Sequence, residues 1–136
     1  MYQAIENETI TVGALGVRFL VDSADSNGTA AVFECYVPAN SRMPAPHSHD
    51  AFEETIYGLE GVTTWTIDGD TVEIGSGDAV CVRRGQVHGF ENHGSVDAKI
   101  LCIATPAVSG PPTSARSARS SPRVPAARPI WPRLAR

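Results

Sequence analysis

No stretch of this 136-residue chain approaches the roughly 20 consecutive apolar residues that a membrane-spanning helix needs. The opening residues, Met1-Tyr2-Gln3-Ala4-Ile5-Glu6, lack the basic and apolar segments of a secretory signal, so the expected location is the cytoplasm. Cysteine is scarce and odd in number. Cys35, Cys81 and Cys102 each lie in an apolar run, which predicts buried, reduced thiols rather than disulfides or nucleophiles. Basic residues are few in the body of the chain. Residues 1–109 hold Arg18, Arg42, Arg83, Arg84 and Lys99 against all 15 acidic residues, a net charge of −10. Such a body disfavours nucleic-acid phosphates and anionic membranes as partners. Helical periodicity is also missing, since no window of a dozen residues between about 9 and 105 carries it.

What remains is β-structure. Val12 to Val21 and Ala30 to Val37 are apolar or β-branched runs separated by the turn sequence Asp25-Ser26-Asn27-Gly28. Thr55 to Leu59, Val62 to Ile67 and Thr71 to Ile74 follow, punctuated by Gly61, by Asp68-Gly69 and by Gly75-Ser76-Gly77. Asp68-Gly69 between two β-rich runs predicts a tight hairpin. Ala79 to Val82, Val87 to Phe90 and Ala98 to Thr105 complete the set. Short strands with glycine-rich turns at regular spacing predict an all-β sandwich or barrel over residues 1–107.

Residues 108–136 are different in kind. They consist almost wholly of Ala, Arg, Pro, Ser and Gly, with six arginines and no acid in the last 27 positions. Such a segment buries too little apolar surface to offset its ordering entropy, and a disordered tail is expected. One reading of it is a basic arm for an acidic partner. The other is the product of a frame change: Pro112-Thr113-Ser114-Ala115-Arg116-Ser117, read in another frame, can encode aromatic-Arg-Glu-Ile, the start of a C-terminal helix.

Three of the four histidines fall into one pattern. His47-Ser48-His49 places two imidazoles at i and i+2, where an extended chain turns both to one face. Glu53-Glu54 open the next β-rich run, and His88 follows at another turn-to-strand entry. Imidazoles with one carboxylate form a mixed N/O set suited to one divalent Fe, Mn, Ni, Cu or Zn ion, and poorly suited to Ca or Mg. Three rings and a carboxylate leave one or two positions of a six-coordinate ion open, the mark of a catalytic rather than a structural site. His93, in Asn92-His93-Gly94, reads as an exposed turn residue.

Residues 41–61, with His47, His49, Glu54 and Gly61, resemble the first motif of the cupin superfamily, and residues 77–92, with Gly77, Gly85, His88 and Asn92, resemble the second. Ser41 stands where that family has its first Gly, and Arg83 where it has Pro. The resemblance implies a double-stranded β-helix, a jelly-roll barrel of six to eight strands, assembled as a homodimer, and a metal held by His47, His49, Glu54 and His88. Strand alternation alone leaves the acid open: with Glu53 inward, Tyr57 and Leu59 would line the barrel, and with Glu54 inward, Ile56 and Gly58 would. The family's spacing to Gly61 selects Glu54. Phe90 and Asn92 share the parity of His88 and, with Ile56, are candidate pocket residues.

The stretch from His47 to Gly61 looks like small quercetin-dioxygenase-like members of that superfamily. A metal-dependent oxidoreductase of dioxygenase type is therefore expected, acting on a small oxygenated substrate with Glu54 as catalytic base. The alternatives are a lyase, isomerase or hydrolase using the ion as a Lewis acid, and a non-catalytic binder of a small ligand.

Overall fold

The computed structural model describes residues 4, 5, 7–42 and 45–107, so both readings of the tail at 108–136 lie outside the described residues. Every regular element among the described residues is a strand: β1 (Thr9–Val12), β2 (Leu15–Val21), β3 (Ala31–Val37), β4 (Ser41–Arg42), β5 (Glu53–Glu60), β6 (Thr63–Ile67), β7 (Asp70–Ile74), β8 (Ala79–Val82), β9 (His88–Asn92) and β10 (Ala98–Thr105). They form a six-stranded sheet in the order β1-β2-β3-β10-β5-β8 and a four-stranded sheet in the order β4-β9-β6-β7. All pairings are antiparallel. The result is the expected all-β jelly roll, and no helix among the described residues is long and apolar enough to cross a membrane.

One core fills the space between the sheets because each strand alternates. Leu15, Val17 and Phe19 on β2, Phe33 and Cys35 on β3, and Ile100, Cys102 and Ala104 on β10 point inward and are buried. Trp65 on β6 and Phe90 on β9 meet them from the other sheet, stacked at 4.6 Å. Burial of this kind contributes roughly 25 cal/mol for each Å² of apolar surface removed from water, and it is what sets the register.

Two local features fix the register of the strands around the site. Asp68 and Gly69 both adopt positive φ (49° and 89°), the hairpin geometry whose twist suits the flanking strands, as their sequence predicts. Gly58 lies on the inner row of β5 against the 75–78 turn. A Cβ there would stand 1.9 Å from the Gly75 carbonyl oxygen, while the Gly58 N–H donates to Asp78 O at 2.9 Å and its carbonyl accepts from the Gly77 N–H at 3.0 Å.

The structure departs from the sequence reading in four places. The run Val12 to Val21 is two strands, because Gly13 takes φ 61° and folds β1 back on β2. Val62 and Val87 lie just outside β6 and β9 and are 48% and 50% exposed. Ten strands replace the six to eight expected, the difference including the short β4 and the N-terminal β1. Cys81 is exposed, not buried, since alternation on the edge strand β8 turns Val82 inward and its neighbour out.

Candidate metal centre

The histidines are delivered by backbone hydrogen bonds from three directions. His47 and His88 form an isolated antiparallel bridge, with His47 N–H to His88 O at 2.9 Å and the reverse at 2.8 Å. That places their side chains opposite one another, ring centroids 4.4 Å apart. The expected extended alternation from His47 to His49 holds without a regular strand; the Gly85 N–H fixes the His49 carbonyl at 2.8 Å instead. The 83–87 loop that leads into His88 is pinned by Asp68, whose carboxylate accepts from Val87 N–H at 2.9 Å and from the Gln86 amide at 3.1 Å. Both departures from the motif pattern are absorbed locally. Arg83 uses its N–H to reach Gln86 Oε1 at 2.8 Å, a bond that a proline could not make. The left-handed position beside Ser41 falls on Asn40 (φ 55°), so Ser41 itself pairs with Asn92 as ordinary strand.

The donor atoms of His47, His49 and His88 converge within 4.8 Å of one another and are positioned to bind a metal ion. Glu54 faces the same point from β5: its Oε2 lies 3.4 Å from His49 Nε2 and 3.5 Å from His88 Nε2, and the residue is 5% exposed. Glu53 turns outward and meets Arg84 Nε at 2.9 Å. His93 is exposed and paired with Glu91 at 2.9 Å.

Tautomers and charge fit a cation. His88 Nδ1–H donates to the Gln86 carbonyl at 3.0 Å, leaving Nε2 buried and facing the Glu54 carboxylate alone, at 3.5 Å. A cation seated between that nitrogen and the carboxylate would satisfy both. His47 Nδ1 likewise contacts the Ala45 carbonyl, at 3.3 Å. Burial holds the His47 pKa down to about 4, reinforced by the like charges of His88 and His49, so this ring is neutral at physiological pH. Burial alone would raise the Glu54 carboxyl, but hydrogen bonds with His49 and His88 outweigh it and hold it at about 2. Burial alone would lower His88, yet the Glu54 carboxylate and the Gln86 carbonyl raise it above the ordinary imidazole range. A proton and a divalent ion therefore compete for one position, between His88 and Glu54.

Of the candidate pocket residues, Phe90 and Ile56 are inward and buried, Phe90 beside the site through Trp65. Asn92 is inward too, but at the far end of β9, roughly 14 Å along the strand from His88 at about 3.4 Å per residue. Its amide donates to Val37 O and Val96 O and its carbonyl accepts from Gly94 N–H, so it clamps the barrel corner. Sequence reasoning missed three neighbours of the ligands. Phe52 stacks on His49 at 4.3 Å, Trp65 lies parallel to His88 at 6.2 Å, and buried Cys102 of β10 pairs with Ile56, two residues from Glu54 on β5. Each depends on pairings between distant strands, and only Trp65, an aromatic on the inner row just before the Asp68-Gly69 hairpin, carried a sequence signal. A groove of about 460 Å³ lies over the four-stranded sheet along Thr64, Thr66, Thr71 and Glu91, and its lining also includes Pro46, His88 and Phe90.

A family model described as a cupin domain matches residues 33–104, which contain all four site residues. An uncharacterized protein of Methanocaldococcus jannaschii is 37% identical over 73 residues, covering 54% of this chain, and the chain spans only 58% of that protein's length. Among solved structures, a predicted oxalate decarboxylase from Thermotoga maritima superposes with TM-score 0.67 at 24% identity, covering 74% of this chain and 92% of that one. A polyketide cyclase from Streptomyces resistomycificus superposes with TM-score 0.66 at 28% identity, covering 77% and 78%.

Proposed function

The chain belongs to the family of cupin domains, and from that premise we propose that it is a metal-dependent enzyme, an oxidoreductase of dioxygenase type acting on a small oxygenated organic substrate. The observation that carries the reading is the convergence of three imidazoles within 4.8 Å on a buried carboxylate. His47, His49 and His88 would hold one divalent Fe, Mn, Ni, Cu or Zn ion, with Glu54 as fourth ligand. When bound, that ion supplies Lewis acidity and open coordination positions for substrate or O₂. The remaining work falls to the chain. The Glu54 carboxylate, ionised and out of water, would accept a substrate proton through an oxygen the ion leaves free. Phe52, Trp65 and Phe90 exclude water from the rings, and Ile56 floors the same wall. The setting we propose is a cytoplasmic homodimer, supported by free thiols at all three cysteines and by Tyr57, 41% exposed on the outer face of β5.

Oxygen uptake by Fe(II)- or Mn(II)-loaded protein, tested with flavonols and catechols, checks this reading. Substrate-dependent O₂ consumption that disappears in His88→Ala is the expected result. A second reading, a redox-neutral reaction, is favoured by the likeness to a polyketide cyclase. Turnover of an oxygenated substrate under strict exclusion of O₂ would select it over the first.

A further inference from the structure

The peptide unit between Gln86 and Val87 is held at both of its polar ends. Its carbonyl, on Gln86, accepts the His88 Nδ1–H at 3.0 Å, and its N–H, on Val87, donates to Asp68 Oδ1 at 2.9 Å. The two groups belong to one conjugated plane, so a negative charge on the N–H end makes the carbonyl end a stronger acceptor. Asp68 is firmly placed to supply that charge. Its own N–H donates to Val87 O at 2.8 Å, which clasps Val87 from both sides, and its second oxygen accepts the Gln86 side-chain amide at 3.1 Å. The Gln86 amide oxygen in turn accepts the Arg83 N–H at 2.8 Å, closing the loop that enters β9. Asp68 follows Ile67, the register partner of His88 on β6, so the clasp continues that pairing past the end of the strand. The turn itself does not require an acid: at φ 49° beside Gly69, glycine or asparagine would serve as well. What the acid adds is a charge, and that charge faces the loop.

We propose that Asp68 is a positioning residue for the metal site: its carboxylate, acting through the 86–87 peptide, fixes the His88 ring and holds a proton on Nδ1, so that Nε2 is presented to the ion. The inference rests on the reading of His88 as a ligand. A histidine ligand is ordinarily oriented by a carboxylate or a carbonyl bonded to the nitrogen that faces away from the metal. Here the two act in series, the carbonyl on the ring and the carboxylate one peptide behind it. A hairpin residue that the sequence marks only as a turn former thereby reaches the buried centre of the barrel.

The test uses the full chain, with Co(II) as the probe and the His88 Nδ1–H proton resonance of metal-free protein as an independent readout. Asp68→Gly keeps a sequence that suits the turn and removes the carboxylate. It should weaken Co(II) binding by about 3- to 10-fold, less than loss of a partner bonded to the ligand itself, because Asp68 is one peptide removed and exposed to competing water. In the metal-free variant the Nδ1–H resonance should move upfield and exchange faster with water. Asp68→Asn keeps an acceptor oxygen without the charge, and a neutral hydrogen bond is roughly half as strong as a charged one. It should therefore lie between Asp68→Gly and the wild type in both readouts. Asp70→Asn, which removes the same charge from the other side of the turn, should change neither. Co(II) binding by Asp68→Gly as tight as by a wild type that binds it, an unmoved Nδ1–H, an Asn variant no better than Gly, or an equal loss from Asp70→Asn would each overturn the proposal. Failure of the wild type to bind Co(II), with the Nδ1–H responding as stated, would instead count against the metal reading and uphold the positioning of the ring.

Discussion

Glu53 and Glu54 are the same side chain one residue apart, and the sheet makes them different molecules. The outer one lies at the surface with Arg84, both side chains more than a third exposed, and a pair of that kind contributes about 0–1 kcal/mol. The inner one is 5% exposed, faces two imidazoles, and is held ionised at about 2 by hydrogen bonds that overcome its burial. The same contrast divides the cysteines, with Cys81 outside and Cys35 and Cys102 inside. In a strand, which face a residue meets is decided by parity, and in this barrel parity separates ordinary surface chemistry from the candidate metal centre.

The most severe way to break that division is to disturb the register of β5 itself. Gly58→Val would drive a side chain into the Gly75 backbone, where even a Cβ stands 1.9 Å from the oxygen. A loss of about 3 kcal/mol or more is expected, the upper range for overpacking, read from urea unfolding. Next comes His88→Ala, which removes the nitrogen most deeply buried in the site. Co(II) or Zn(II) affinity should fall by more than about 100-fold, beyond what outer-sphere changes cause, as measured by chelator competition.

The inner and outer acids are then compared directly. Glu54→Gln should lower metal affinity by about 10- to 100-fold, whereas Glu53→Gln should leave it unchanged and shift stability by less than about 1 kcal/mol. Equal losses from the two substitutions would erase the distinction between the faces.

Acid sharpens the comparison between metal-free and loaded protein. Without metal, His88, raised above its unfolded value of 6.5, adds stability that is complete below pH 6.5 and lost as pH rises through its folded value. His47, lowered to about 4, removes stability as pH falls from 6.5 to about 4, because the unfolded chain takes the proton first. Glu54, lowered from 4.5 to about 2, removes more below pH 4.5. For these three groups, metal-free stability peaks near pH 6.5 and declines on either side. Loaded protein, with an ion in place of the His88 proton, should keep gaining stability above pH 6.5 and should release metal on acidification. Denaturant midpoints measured across pH with and without Zn(II) give both curves, and parallel curves would contradict the shared position.

Much of this was legible in the sequence because it is local. His47-x-His49 and the turn entry at His88 are spacing signals, and the hairpin at Asp68-Gly69 is turn chemistry that needs no tertiary context. The inward choice of Glu54 was legible only through the motif's spacing to Gly61, since an apolar run such as Ile56-Tyr57-Gly58-Leu59 satisfies either parity. What the sequence concealed is nonlocal. That Cys102 lies beside Ile56 follows from a β5–β10 register across more than forty residues, and that Trp65 backs His88 follows from the β6–β9 pairing. The exposure of Cys81 follows from an edge strand whose other face is not covered by the second sheet. Asn92 matched its motif position, yet its hydrogen bonds reveal a corner clamp that parity alone could not distinguish from a pocket residue.

The central claim is one divalent ion held from inside the barrel by His47, His49, His88 and Glu54. Titration of metal-stripped protein with Co(II), followed by its visible absorption, tests it most directly. The account predicts saturation at one equivalent, bands that shift in Glu54→Gln and remain in Glu53→Gln, and loss of tight binding in His88→Ala. No saturable binding, or a spectrum that follows Glu53 and ignores Glu54, would contradict it.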